Sequence, residues 1–315
     1  MALPALAADG SDVMVRTGLA PLLELAGIPG RILPLEQGRR GWWRAVGALR
    51  GARFEEGVLL APSFSSAWLF RCGGVGHLRG TATDLRGWMV EDRVPLAALH
   101  GRHRIDRYRI LLAAGADAPT PAPRITPPEG RREAWRRRLG EGPAPVGVVP
   151  GGNAPARRWP LERFAEVSRA LLAAGHRVVI LGGPAERDLT ARLAAAAPGV
   201  RDEGGRTDLC GLAALLSVLR LVVTNDTGPL HLAAAVGVGT VTVFGPSDPG
   251  ETSAVGAGHR RVVPVGLPCV PCGKNHCPRS GRGTMLPEAK QECVRIVETE
   301  QVLAVVHEEL SGGTA

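Results

Sequence analysis

Residues 221–249 read LVVTNDTGPLHLAAAVGVGTVTVFGPSDP, and this one stretch predicts a strand, a turn, a helix and a second strand. The apolar start ends in polar residues, and Pro229 suits the first position of a helix. Gly237 is a normal stop for that helix, and the run Thr240–Phe244 returns as a buried strand. We therefore expect an α/β protein in which both strands end at one crevice.

A helix that begins where a strand ends can hold an anion, because its first N–H groups are unpaired and carry a partial positive charge. The turn Thr224–Gly228 suits a phosphate group in this way. Strand-turn-helix geometry is also common where no ligand binds, so packing alone is an equal alternative at this point.

The residues of this segment favour the ligand. Asp226–Ala235, reading DTGPLHLAAA, and Phe244–Pro249, reading FGPSDP, together resemble the donor-site signature of glycosyltransferase family 9, the lipopolysaccharide heptosyltransferases. The resemblance implies the GT-B architecture, in which two Rossmann-like doubly wound domains face each other across a cleft. It also implies inverting transfer of heptose from ADP-heptose to the inner core of lipopolysaccharide, with no cofactor required for catalysis. The segment Pro150–Pro160 and the variant Thr-Asn-Asp-Thr-Gly-Pro are more similar to the branch that adds the second heptose.

Composition agrees with an enzyme of two domains. The chain has 315 residues, 44% of them hydrophobic, which is enough for two cores. The net charge is +8, but only two of the basic residues are lysines, and this arginine bias is more typical of coding composition than of nucleic-acid binding. A basic surface would suit an anionic acceptor at the inner membrane. No segment has the length of a membrane span or a convincing signal peptide, so we expect a cytoplasmic protein that contacts the membrane peripherally.

The first part of the chain alternates strand-like runs with helical patterns, as parallel βα units do. The predicted strands are Val13–Arg16, Ile32–Leu35 and Val58–Ala61, and the predicted helices are Leu19–Ala26, Trp42–Leu49 and Phe64–Cys72. We expect residues 1–130 to form one doubly wound domain, which the resemblance implies is acceptor-binding and which ends in the proline-rich linker Ala118–Gly130.

A second series of the same kind follows the linker. Its predicted elements are the helix Arg131–Leu139, the strand Val146–Val149, the helix Pro160–Ala174, the strand Arg177–Leu181 and the helix Leu209–Leu219. We expect residues 131–299 to form the nucleotide-sugar domain. The amphipathic helix Glu300–Leu310, within residues 300–315, is expected to brace the two domains, as terminal helices do in the architecture that the resemblance implies.

The loop Pro150–Pro160, reading PGGNAPARRWP, combines flexible glycines with two cations just before a helix. Arg157 and Arg158 oppose the helix dipole there and need an anion nearby. The resemblance implies that the basic residue before Trp-Pro contacts the donor phosphates, with Gly151 and Asn153 in the same loop. Surface arginines beside a helix are the alternative.

Two further loops follow predicted strands. Glu186 can accept hydrogen bonds from a ribose diol, the role that the resemblance implies, although an isolated Glu is more often a surface residue. The resemblance places adenine near Thr207 and Leu209. A helix-capping role for Thr207 or Asp208 is an equal alternative.

Asp226 and His231 are the candidate catalytic residues. A carboxylate beside a diphosphate would be repelled, so we expect Asp226 to position the sugar through its hydroxyl groups, with Thr227 and Gly228 at the phosphates. His231 in the first helical turn can neutralise or donate to phosphate oxygens, although a lone helical histidine is more often a packing residue.

The general base is missing from this pattern. The resemblance implies a first strand, a turn with the base aspartate, and then a helix that the opening segment Met1–Leu6, reading MALPAL, matches from its first residue. Asp9 and Asp12 come after that helix and do not match. We expect the base and a buried first strand to lie upstream of Met1, since the loss of such a strand would cost several side chains at roughly 1.5–3 kcal/mol each.

The six cysteines fall into two groups. Cys72 and Cys210 lie in helical patterns and are expected to be packed thiols. The candidate ligands of a structural zinc site follow the pattern C-x2-C-x4-C with a later fourth thiol, and they are Cys269, Cys272, Cys277 and Cys293. Disulfides do not suit a cytoplasmic protein.

Two other functions are compatible with the sequence. One is a family 9 transferase that uses another nucleotide sugar or another acceptor. The other is a nucleotide-sugar-binding protein without catalysis, which the missing aspartate leaves open.

Overall fold

The computed structural model describes residues 11–113, 122–277 and 292–312. The chain divides into two compact units, Met1–Pro123 and Arg124–Ala315, and this boundary falls inside the predicted linker Ala118–Gly130. Met1–Leu6 and Asp9 lie outside the described residues. Within the described ranges, no helix is both long enough and apolar enough to cross a bilayer.

The second unit is built on a six-stranded parallel sheet. In spatial order its strands are His259–Val262, Gly239–Val243, Leu221–Asn225, Val146–Val149, Val178–Ile180 and Arg201–Asp202. Its helices are Glu129–Leu139, Leu161–Ala173, Arg187–Ala196, Leu209–Leu216, Gly228–Ala235, Pro249–Thr252, Glu292–Arg295 and Thr299–Ser311. Val146–Val149 comes first in the chain among these six strands, and it lies between Val178–Ile180, the second, and Leu221–Asn225, the fourth. The strand order therefore reverses at Val146–Val149. Ligands of doubly wound folds bind at such a reversal, at the carboxyl ends of the strands.

The core of the second unit explains why these strands form. Every residue of Val146–Val149 and Leu221–Asn225 is buried, as expected for central strands covered on both faces. Trp159 packs edge-on against Phe164, with ring centroids 5.0 Å apart, and its indole N–H donates to the carbonyl of Val297 at 2.9 Å. Such a partner lets a buried tryptophan keep its hydrogen bond.

The C-terminal helix Thr299–Ser311 belongs to the second unit. Val302 and Val306 lie in the same hydrophobic core as the sheet. Its predicted bracing role stays a prediction.

Glu203, at the end of the sheet's edge strand, is fixed by arginines. Its buried carboxylate accepts hydrogen bonds from Arg138 at 2.7 and 3.1 Å and from Arg201 at 2.7 Å. Burial raises the pKa of Glu203, but these bonds outweigh it and hold the pKa below its ordinary value. The helix of Arg138 is thereby tied to the strand Arg201–Asp202.

The first unit contains five described strands, all paired in parallel. Val13–Arg16 pairs with Ile32–Leu35, and a separate sheet has the order Glu56–Val58, His77–Gly80, Asp92–Arg93. The described strands of this unit thus form two parallel sheets. The third strand ends at Val58 and not at Ala61, because the chain turns towards Pro62 and the Ala61 carbonyl accepts from the Arg86 and Ser66 side chains.

Helices of the first unit cover these sheets. They are Ala20–Leu25, Gly38–Ala52, Phe64–Cys72, Leu96–Leu99 and Arg104–Leu111, with short 3-10 turns at Thr17–Leu19 and Gly87–Met89. Phe64–Cys72 has the predicted bounds, and Ser63 caps it by accepting from the N–H of Ser66 at 3.3 Å. The core is formed by Val46, Leu49 and Leu78 among others, and the Cys72 side chain packs against it, as predicted.

Candidate functional site

The candidate site lies where the strand order of the second unit reverses. Val146–Val149 and Leu221–Asn225 are neighbours, with Val149 opposite Thr224. The loop Pro150–Pro160, called the glycine loop below, follows the strand Val146–Val149. The turn Asp226–Gly228 follows the strand Leu221–Asn225, so the two predicted phosphate-binding segments begin side by side. The sequence prediction that both contribute to one site agrees with this placement.

Asn225 joins these two segments. Its buried side chain accepts from the backbone N–H of Trp159 at 2.9 Å and donates to the carbonyls of Pro150 at 2.9 Å and Gly151 at 3.1 Å. Buried amides require such partners, and here they fix both ends of the loop 150–159. Sequence reasoning missed this residue, although an amide at the end of an apolar strand is a signal for such a role.

Glu186 shapes the glycine loop from the other side. One carboxylate oxygen accepts from the N–H of Gly152 and the other from the N–H of Gly183, each at 2.7 Å. A Cβ on Gly151 would lie 1.9 Å from Glu186 Oε1, so a larger residue there would displace this carboxylate from its two N–H donors. Each oxygen keeps a lone pair for a further donor. The predicted binding of ribose by Glu186 stays a prediction. In the structure Glu186 also holds the glycine loop in place through its bond to Gly152.

Gly152 brings the loop against the turn. A Cβ on Gly152, whose φ is +152°, would lie 3.5 Å from Thr227 Cβ and Oγ1. The loop therefore passes directly beside the N-terminus of the helix Gly228–Ala235. Such close approach at a positive φ favours glycine.

Arg157 and Asp226 form an ion pair at this site. Arg157 Nη1 donates to Asp226 Oδ2 at 3.1 Å, and Nη2 donates to Asn275 Oδ1 at 3.4 Å. The Asp226 side chain is 3% exposed and that of Arg157 is 23% exposed, so the carboxylate is the more deeply buried partner. The sequence predicted that they bind different parts of a ligand, and the structure places them in contact.

Two buried donors at this edge have no acceptor among the described residues. They are Arg157 Nε and the hydroxyl of Ser247. The two segments are neighbours, since a Cβ on Gly245 would lie 3.3 Å from the carbonyl oxygen of Ala156. Unsatisfied buried donors are rare and call for an explanation such as a ligand. The sequence placed Ser247 within the donor-site signature Phe244–Pro249 but gave it no role of its own.

The helix N-terminus between these groups is open. Thr227 precedes the helix Gly228–Ala235 without capping it through its side chain, and no atom of the described residues lies within 4 Å of a Cβ built on Gly228. Gly228 is exposed and can present its N–H group to an anion, whereas Pro229 has no N–H and the Leu230 N–H donates to the carbonyl of Thr227 at 3.2 Å. His231 lies one turn into the helix and is half-buried.

The remaining donor-site candidates have different surroundings. Arg158 Nε donates to the carbonyl of Gly152 at 2.8 Å and so supports the loop, and Asn153 is exposed. Asp208 caps the helix Leu209–Leu216 by accepting from the N–H of Gly211 at 2.5 Å, which is the capping alternative considered for it.

Thr207 and Leu209 are both half-buried beside that cap. Their contacts with a ligand stay predictions.

Two of the predicted zinc ligands lie beside the turn at Gly245. Cys272 N–H donates to the carbonyl of Pro246 at 3.0 Å, and Cys293 Sγ lies 3.5 Å from a Cβ built on Gly245. Burial, and then the charges of Cys277, Cys272 and Cys269, raise the pKa of the Cys293 thiol to about 11.

Across the described ranges, no three side chains of His, Cys, Asp or Glu are arranged to share a metal ion. The four thiols as they lie do not fit zinc, and the zinc site stays a prediction.

Comparison with known proteins gives consistent matches. A family model described as glycosyltransferase family 9 (heptosyltransferase) matches residues 42–281. Lipopolysaccharide heptosyltransferase 2 of Escherichia coli K12 is 28% identical over 263 residues, which are 76% of this chain and 75% of the relative. Lipopolysaccharide heptosyltransferase 1 of Pseudomonas aeruginosa is 30% identical over 294 residues, which are 84% of this chain and 78% of the relative.

A solved structure shares the fold. The structure of E. coli ADP-heptose lps heptosyltransferase II matches with a TM-score of 0.79 at 22% identity, covering 100% of this chain and 96% of that one. The predicted α/β fold of the GT-B class is thereby confirmed.

Proposed function

The chain belongs to glycosyltransferase family 9, and we propose that it transfers heptose with inversion from ADP-heptose to the inner core of lipopolysaccharide. The names of its relatives support this substrate class. The observation that carries the proposal is the Arg157–Asp226 pair, whose guanidinium keeps a buried, unpaired Nε beside an open helix N-terminus.

The donor diphosphate would bind at the helix Gly228–Ala235. Its oxygens would accept from the Gly228 N–H at the start of this helix, from Arg157 Nε and from the Ser247 hydroxyl, which satisfies both unpaired donors. His231, one turn further, would add a positive charge when protonated or a donor when neutral. The Asp226 carboxylate would remain beside the phosphates because Arg157 offsets its charge.

Asp226 would then position the sugar. A carboxylate accepts hydrogen bonds from hydroxyl groups, and its pairing with Arg157 fixes its orientation. When the glycosidic bond breaks, negative charge grows on the leaving diphosphate, and the same N–H group and guanidinium stabilise it without a metal. Removal of the acceptor's proton is a separate task, for which these residues provide no group.

We propose that the enzyme adds the second heptose. The spacing of residues within Pro150–Pro160 and the variant Thr-Asn-Asp-Thr-Gly-Pro support this, because both resemble the branch that adds the second heptose. We also propose a cytoplasmic location with peripheral contact at the inner membrane, which the net charge of +8 favours.

The test is transfer from ADP-heptose to inner-core acceptors that carry no heptose or one heptose, followed by mass spectrometry. We expect one added heptose on the second acceptor, and Arg157→Ala should weaken ADP binding by about tenfold or more in calorimetry. Arg192→Ala, which removes an exposed arginine of the helix Arg187–Ala196, is the matched control and should bind normally.

Two results would contradict the proposal. Tighter binding and transfer with another nucleotide sugar would favour a different donor. Donor binding without transfer to either acceptor would favour a binding protein.

A further inference from the structure

Three aromatic side chains of the first unit form an exposed row. Phe64, Trp68 and Trp88 are 38%, 43% and 67% exposed. The centroids of Phe64 and Trp68 are 6.2 Å apart with nearly parallel rings, and those of Trp68 and Trp88 are 6.4 Å apart. Aromatic rings account for much of the core of most proteins, so an exposed cluster points to an interaction surface.

The row lies at the ligand edge of its sheet. Phe64 follows the strand Glu56–Val58, and Trp88 follows the neighbouring strand His77–Gly80. Because these strands are parallel, both connections leave from the same carboxyl edge. In open α/β sheets that edge is where ligands bind.

Arg86 fixes the two connections to each other. Its guanidinium is fully buried. It donates to the carbonyls of Thr81 at 2.9 Å, Ala61 at 2.7 Å and Ser63 at 3.3 Å, and to the hydroxyls of Thr81 at 2.9 Å and Ser66 at 3.2 Å. Burying a cation costs free energy unless its hydrogen bonds are made, and these five bonds, together with the charge of Asp84, hold the two loops in one arrangement.

The second loop is strained where it reaches solvent. Asp84 and Leu85 are consecutive residues with positive φ, +54° and +57°, and Leu85 is 90% exposed. Non-glycine residues rarely adopt this conformation, and at functional sites it persists because the surroundings enforce it.

Asp84 completes the chemistry of the surface. Its Oδ2 accepts from the backbone N–H of Phe64 at 2.5 Å, so a carboxylate lies at the end of the aromatic row. A sugar ring has both features that match this arrangement, since its C–H faces carry partial positive charge and its edge carries hydroxyl donors. An anionic bilayer surface would be repelled by the exposed Asp84 carboxylate.

We propose that Phe64, Trp68 and Trp88 form a stacking platform for a saccharide ring of the acceptor, with Asp84 accepting hydrogen bonds from its hydroxyl groups. This inference rests on the proposed function, because it assigns the row to the acceptor of that reaction.

The experiment uses the full chain and a lipid-free, deacylated core oligosaccharide as the acceptor. We expect Trp88→Ala to raise the acceptor KM about tenfold and leave the donor KM unchanged, and Trp88→Phe to restore most of the affinity because a ring remains. Trp43→Ala removes another exposed tryptophan of the same unit and should change neither constant. Thermal unfolding of each variant checks the fold.

A second readout does not depend on transfer. Titration of the oligosaccharide should quench the tryptophan fluorescence of the wild type and of Trp43→Ala, and much less that of Trp88→Ala. If the wild type shows no transfer but this pattern holds, the proposed reaction fails and the platform stands. Wild-type transfer with an unchanged acceptor KM in Trp88→Ala would overturn the platform. The platform would also be overturned if Trp88→Ala raised the acceptor KM only when the acceptor is embedded in lipid vesicles, since that result identifies a membrane contact.

Discussion

Replacing Asp226 by asparagine separates the two tasks proposed for the donor site. The amide keeps the shape of the side chain and an oxygen that can accept from Arg157 Nη1, now 3.1 Å from the carboxylate. It removes the negative charge, which repels a diphosphate. It also removes the charged oxygen that would accept hydrogen bonds from the sugar hydroxyls. Binding of ADP and binding of ADP-heptose should therefore respond in opposite ways.

The magnitudes follow from the covered position of the carboxylate. Hydrogen bonds to a charged group contribute roughly 1.5–3 kcal/mol each, so loss of one bond to the sugar should weaken ADP-heptose by about 10- to 150-fold. The cost to stability should be only about 1 kcal/mol, the difference between a charged and a neutral acceptor for Arg157, whose side chain is 23% exposed. ADP alone should bind as well as before or more tightly.

The assay is calorimetry with ADP and with ADP-heptose on the wild type, Asp226→Asn and Asp188→Asn. Asp188 is an exposed carboxylate on the helix Arg187–Ala196. Asp188→Asn is the matched control, because it makes the same charge change away from the site. The ratio of the two dissociation constants should shift by at least about tenfold in Asp226→Asn only. An unchanged ratio, or an equal loss of affinity for both ligands, would refute the assignment of Asp226 to the sugar.

Three further predictions concern stability and metal content. The lowered pKa of Glu203 means that its contribution to stability is complete above its ordinary value of 4.5 and is lost as pH falls through the lowered pKa, so melting temperatures of the wild type and Glu203→Gln should converge on acidification. Parallel pH profiles would contradict this. Gly151→Ala places a Cβ 1.9 Å from Glu186 Oε1 and should cost about 3 kcal/mol or more in urea unfolding, by breaking two bonds to a carboxylate, whereas Gly47→Ala, with no atom within 4 Å, should be neutral or stabilising. If the cysteine spacing builds a zinc site, binding must lower the pKa of Cys293, and elemental analysis should find about one zinc per chain; a metal-free protein would end that prediction.

The second unit could be predicted well from sequence because its strands are covered on both faces. Val146–Val149 has the predicted bounds, since the short apolar run VGVV lies between Pro145 and Pro150 and has few alternatives. The helix Leu161–Ala173 differs by one residue at each end from its predicted range. Helix termini are set by local hydrogen bonds that periodicity does not show.

Contacts between segments distant in the chain could not be predicted. Asn225 reaches back to Pro150 and Gly151, and Arg157 reaches forward to Asp226. Each of these pairs is separated by about 70 residues, so no local pattern relates them. In the first unit, Phe64 and Trp68 are one helical turn apart, but only the pairing of the strands before them brings Trp88 beside them.

The pairing of Arg157 with Asp226 has a consequence for ligand selection. A cation alone at the open helix N-terminus would bind any phosphate, whereas the pair leaves the site close to electrically neutral. An inorganic phosphate must then overcome the repulsion of the carboxylate and has only one or two hydroxyl donors to offer it in return. A nucleotide sugar supplies an anion for the Gly228 N–H and Arg157 Nε, and hydroxyl donors for Asp226, so both halves of the pair gain partners at once. The carboxylate therefore weakens binding of the wrong anion while it positions the sugar of the right one, which is specificity gained through a repulsive group.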